Sequence, residues 1–149
     1  MSPIPRRATR LPRAGIDPID GEATALAVVR TAAAWPLRYE TIVVLLDELR
    51  CGLGLVVVSG TTAPDAVLEV AERILDPAVH DGRVAGAIVA SGRPGGDRPE
   101  HDGHELTDAD RWLELDEIAT SSGVELFEWF VLGGGLSRPR GLVNAPPRW

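Results

Sequence analysis

Apolar positions along this chain follow two rhythms, and the alternation between them predicts its elements. Gly21 to Trp35 (GEATALAVVRTAAAW) is alanine-rich, with Leu26, Val29 and Ala33 at helical spacing. A helix is expected there, capped by Asp20, favoured by Glu22 at its positive end and stopped by Pro36. Tyr39 to Leu49 contains the unbroken apolar run Ile42-Val43-Val44-Leu45-Leu46, which opens on three β-branched residues. Such a run predicts a strand covered on both faces. Arg50-Cys51-Gly52 should turn the chain into a return strand, Leu53 to Ser59, giving an antiparallel hairpin.

A second helix is expected from Asp65 to Leu75, with Val67, Leu68, Ala71, Ile74 and Leu75 as its apolar stripe. Pro64 suits its first position and Asp76-Pro77 should end it. Val84 to Ala90 is the next apolar run and a third strand. Asp108 to Ser122 reads as a helix with Trp112, Leu113, Leu115, Ile118 and Ala119 as apolar positions. Thr107 and Asp110 would form its capping box, and Gly123 its C-terminal stop. Val124 to Leu132 is a final strand, expected to be partly exposed on the face carrying Glu125 and Glu128.

These elements predict one α/β domain over residues 21–135, a small mixed sheet with packed helices. Residues 1–20 carry four prolines and four arginines with no acid before Asp17, and are expected to be a flexible arm. Residues 136–149 are expected to be a coil tail.

Composition narrows the functions. The formal charge of −7 argues against a domain that coats nucleic acid, leaving only the arginine arm for such contacts. All fifteen basic residues are arginine, a bias expected of a GC-rich bacterial genome. The single cysteine, Cys51, rules out an internal disulfide and is expected to be a turn or edge residue. No run reaches membrane-spanning length and no signal-like segment opens the chain, so a cytoplasmic protein is expected.

The chemistry concentrates between Val84 and Asp110, where a strand end, a glycine-rich turn and a helix start succeed one another. In α/β folds such junctions commonly build sites. The turn reads Ser91-Gly92-Arg93-Pro94-Gly95-Gly96-Asp97, followed by Thr107-Asp108-Ala109-Asp110. Together with Tyr39-Glu40 ahead of the first strand run and Gly60-Thr61 after the hairpin, this order resembles the RadC-type branch of the JAB/MPN (JAMM) metalloprotease-like family, from about Trp35 to Gly135. The resemblance implies a three-layer, cytidine-deaminase-like arrangement. It also implies a zinc ion held by two histidines and an aspartate, with a glutamate on the first strand as general base. The family motif there is His-x-His-Pro-Ser-Gly-Asp. Glu40 matches the general base and Asp110 the aspartate ligand, whereas Ser91 and Arg93 stand where the two histidines belong.

That departure matters because a guanidinium cannot release its proton to a metal and would repel one. A degenerate, non-catalytic binding or scaffolding module is therefore expected, with no metal and with a protein or peptide partner. Two alternatives stay open. His101 and His104, on a loop longer than the family spacing, could join Asp110 in a rebuilt zinc site and support a peptidase-like hydrolase. The arginine arm could bind nucleic acid, as the DNA-repair label of the RadC family suggests. Glu40 can also be read as the polar first residue of a strand, Asp110 as a capping residue alone and His80 as a surface residue. The chain lacks the lysine and hydroxyl of a phosphate-binding P-loop, and Ser91 sits in no nucleophile elbow.

Overall fold

A computed structural model describes residues 10–79, 82–94, 109–133, 136–140 and 149. The element order is α1 (Glu22–Ala32), β1 (Glu40–Leu46), β2 (Gly52–Ser59), α2 (Pro64–Val79), β3 (Gly86–Gly92), α3 (Ala109–Ser121), β4 (Glu125–Gly133) and β5 (Leu136–Arg140). The strands form one mixed sheet in the order β2-β1-β3-β4-β5. β1 runs antiparallel to both β2 and β3, β3 is parallel to β4, and β5 returns antiparallel to β4. Among the described residues the protein is thus α/β, with a mixed sheet and three helices.

The unbroken apolar run of β1 follows from cover on both faces. Ile42, Val44 and Leu46 join Ala25 and Val29 of α1 in one core. Val43 joins Val67, Leu68, Ala71 and Leu75 of α2 and Trp112, Leu115 and Ala119 of α3 in the other. Burying such side chains stabilises the fold by about 1.5–3 kcal/mol each before chain entropy is counted. α1 therefore covers one face of the sheet, and α2 with α3 the other.

Several boundaries differ from expectation for physical reasons. α1 ends at Ala32, well before Pro36, and its N-cap is Gly21 rather than Asp20. α2 runs through Pro77 to Val79 instead of stopping at it. A proline this close to a helix end forfeits one backbone bond where few remain. Leu113, expected in the core, is 46% exposed. The tight turn after β1 starts at Asp47, whose carboxylate accepts from the Leu49 and Cys51 amides at 2.8 and 2.9 Å. Arg50, not a glycine, takes the left-handed conformation there at φ 64°. Gly123 does act as the left-handed stop after α3, at φ 73°.

Larger corrections concern the sheet's margins. β4 is exposed at Glu125 and partly exposed at Glu128, as expected, but no whole face is open: its other residues are buried, because α1 and α3 sandwich it and β5 pairs on its outer side. Leu136–Arg140, expected as coil, is that fifth strand. The second half of the expected arm is anchored: Gly15 N–H donates to the Gly52 carbonyl at 3.0 Å and Ile19 N–H to the Arg50 carbonyl at 2.8 Å. Ile19 is 2% exposed and belongs to the α1-side core. Asp17 caps this segment, accepting from the Arg13 amide and side chain at 2.9 Å each. That pairing lowers the Asp17 pKa from its ordinary 3.8 to about 2. Cys51 is buried behind the segment, bridged to Pro18, and desolvation pushes its thiol pKa up. Residues 1–9 lie outside the described residues.

Candidate functional site

The strand directions gather chain ends at one rim. β1 begins, and β2 and β3 end, at the same edge of the sheet. α2 and α3 both start from that edge, so their positive ends lie there. The Asp65 carboxylate in the first turn of α2 pairs with the Arg111 guanidinium in the first turn of α3, holding the two helix starts together.

Register then decides which face each candidate residue uses. Glu40 is opposite Gly92, and Thr41 is opposite Ser91. Adjacent pairs project to opposite faces of a sheet. Glu40 turns to the α1 face, where its Oε1 accepts the Ala34 amide at 2.8 Å, and it is 3% exposed. Thr41 and Ser91 turn to the α2–α3 face. Thr41 Oγ1 and Thr61 Oγ1 share a buried hydrogen bond of 2.8 Å. Ser91 Oγ accepts from the Trp129 indole Nε1 at 2.9 Å.

Arg93 continues the β3 line by one residue, its amide donating to the Leu132 carbonyl at 2.8 Å. Its side chain lies on the Ser91 face and is 2% exposed. One guanidinium nitrogen, Nη1, donates to the Thr62 carbonyl at 2.8 Å and to the Thr61 carbonyl at 3.2 Å. The guanidinium carbon stands 5.3 Å from the centre of the Tyr39 ring, a cation–π distance. The result is a buried polar layer of Thr41, Thr61, Ser91, Arg93 and Trp129, with Tyr39 at its outer margin.

Of the four sequence-predicted residues, Ser91 and Arg93 are brought together. Glu40 is on the other side of the sheet, so it does not share their pocket. Asp110 lies in the first turn of α3. Thr107, His80, His101 and His104 lie outside the described residues, as does the loop that would carry a rebuilt metal site. Ser91, Arg93 and Glu40 do not fit a zinc centre as they stand. A hydroxyl engaged by an indole, a guanidinium held by two carbonyls and a carboxylate on the opposite face supply no convergent donor set.

Sequence reasoning missed the roles of Thr41, Trp129 and Tyr39. Alternation could have found two of them, since Tyr39 and Thr41 share a face just as Ser91 and Arg93 do. Trp129 reads only as core until its strand is aligned with β3. No family model, curated protein or solved structure matches this chain.

Proposed function

We propose that the chain is a degenerate RadC/JAB-like domain that works as a non-catalytic binding or scaffolding module. The observation that carries this reading is Arg93. At the position where the resemblance expects a ligand imidazole, a buried guanidinium bonds two main-chain carbonyls and lies over Tyr39. A fixed cation there takes the electrostatic place of a metal and links β3 to the start of α2 without one. The strand order β2-β1-β3-β4-β5, with α1 on one face and α2 and α3 on the other, supports the three-layer part of the resemblance. The Glu40 side chain, buried against Ala34, supports a structural role over that of a general base.

The test is metal content. Untagged protein is dialysed against zinc and then against buffer, and retained zinc is measured. This reading expects none above trace. One equivalent of retained zinc, lost in Asp110→Ala, would overturn it in favour of a metal-dependent hydrolase with a rebuilt site.

A further inference from the structure

We infer that the outer edge of β2 is the interface through which two copies of this chain pair, joining their sheets into one. The inference goes beyond the proposed function and stands whether or not the domain binds metal.

β2 is an outermost strand, paired only with β1 among the described residues. Its bonding parity follows from the hairpin. The Gly60 amide donates to the Tyr39 carbonyl at 2.7 Å, and Tyr39 precedes the Glu40–Ser59 pair. In antiparallel pairing, alternate residues face the partner strand. Gly54, Val56 and Val58 therefore bond β1, whereas Leu55, Val57 and Ser59 present their amides and carbonyls outward. The Gly52 end is already taken by the Gly15 amide, at 3.0 Å. The open edge is thus Leu55 to Ser59.

The open stretch carries none of the usual guards in its own sequence. Proteins blunt exposed edges with charges, prolines or bulges. From Cys51 to Thr62 the chain has no charged residue and no proline. The register irregularity lies at Leu45/Leu46, outside the open stretch. Leu55 and Val57 are 44% and 40% exposed on the α1 face, where α1 lies against β1, β4 and β5. A mainly apolar groove of about 200 Å³ runs beside Leu55, lined by Ile19, Val28, Val44 and Leu53 and rimmed by the Arg13–Asp17 ion pair of the segment before α1.

Backbone donors and acceptors in strand geometry call for an extended strand as partner. The strand itself carries no charge for a charged peptide to read, and the Arg13 and Asp17 beside it already neutralise each other. In a chain of net charge −7, this edge is also where two copies meet with least repulsion. Two-fold antiparallel pairing about Val56 sets Leu55 of one copy against Val57 of the other, keeps both α1 faces on one side, and matches apolar to apolar. That self-complementarity is what an isologous interface needs. So short an edge falls below the roughly 1,200 Å² of a standard interface, so the dimer should form in a concentration-dependent way.

The test is sedimentation of the full chain over a concentration series, with amide exchange read residue by residue. The weight-average mass should climb from 15.9 kDa towards twice that value. Over the same range, the Leu55 and Val57 amides should become protected, whereas those of Val56 and Val58 stay protected throughout. Val57→Lys should hold the mass at that of one chain with an unchanged circular dichroism spectrum. Leu113→Lys, at an exposed apolar position on α3, should leave the mass rise intact. A single-chain mass up to the solubility limit overturns the inference, as does a dimer that survives Val57→Lys. Protected Leu55 and Val57 amides at single-chain mass also overturn it, because another segment of the same chain would then cover the edge.

Discussion

Glu40 and Gly92 face each other across β1 and β3 with no room for a side chain on the glycine. A methyl group on Gly92 would sit 2.3 Å from the Arg38 carbonyl oxygen and 3.1 Å from Glu40 Cγ. The first of these neighbours is backbone and cannot rotate away. The glycine in the Ser-Gly-Arg turn thus lets the chain before β1 close over the end of β3, with Glu40 tucked against Ala34.

Gly92→Ala should therefore destabilise the fold by about 1–3 kcal/mol, the usual cost of overpacking. Gly54→Ala, where an added methyl meets nothing within 4 Å, is the control. Urea unfolding should show a clear drop in midpoint for the first and a much smaller change for the second.

The Ser91–Trp129 bond predicts an asymmetric pair of substitutions. Ser91→Ala leaves the buried indole N–H unsatisfied, which costs about 1–3 kcal/mol. The double substitution Ser91→Ala with Trp129→Phe removes the orphaned donor, so its loss should be smaller than the sum of the two single losses. A double-mutant cycle on unfolding free energies measures the difference.

Arg93→Ala removes the donor to the Thr61 and Thr62 carbonyls inside a buried layer. It should lower stability by about 1–3 kcal/mol, the cost of leaving buried acceptors unsatisfied. Any ligand that binds only the folded state raises its midpoint by mass action. If Arg93 stands in for a metal, added zinc should leave the thermal midpoint of the unsubstituted protein where it was.

The Arg13–Asp17 pair predicts acid loosening of the segment before α1. The Asp17 pKa is depressed to about 2 in the folded protein, below its ordinary 3.8. The stabilisation is therefore fully present above the ordinary value and is lost as pH falls through the folded one. The protection factor of the Ile19 amide, its exchange rate corrected for the intrinsic rate at each pH, should fall between about pH 4 and pH 2, and Asp17→Asn should abolish that fall.

Cys51 should react slowly with a thiol reagent at neutral pH, because it is 4% exposed and its raised pKa keeps little of it as thiolate. Denaturant should restore the labelling rate of a free thiol. Fast labelling of the native protein would contradict the docking of the Pro18 segment over Cys51.

Local pattern determined what each segment becomes. The apolar run at Ile42 to Leu46, the apolar stripe from Val67 to Leu75 and the left-handed stop at Gly123 are encoded within a few residues, because backbone sterics and the local apolar pattern suffice to select them. The pairing of Ser91 with Arg93 on one face was equally local, since side chains two apart in a strand share a face. Tertiary structure alone decided that Glu40 faces away from them. That depends on the register of β1 against β3, and a slip of one residue would reverse it. It also decided that β4 is buried on both sides, since α1, α3 and β5 arrive from distant parts of the chain. Leu136–Arg140 shows the same limit. A proline-containing segment with little apolar pattern became a strand because β4 offered a row of unpaired backbone groups, and only the fold brings that row within reach.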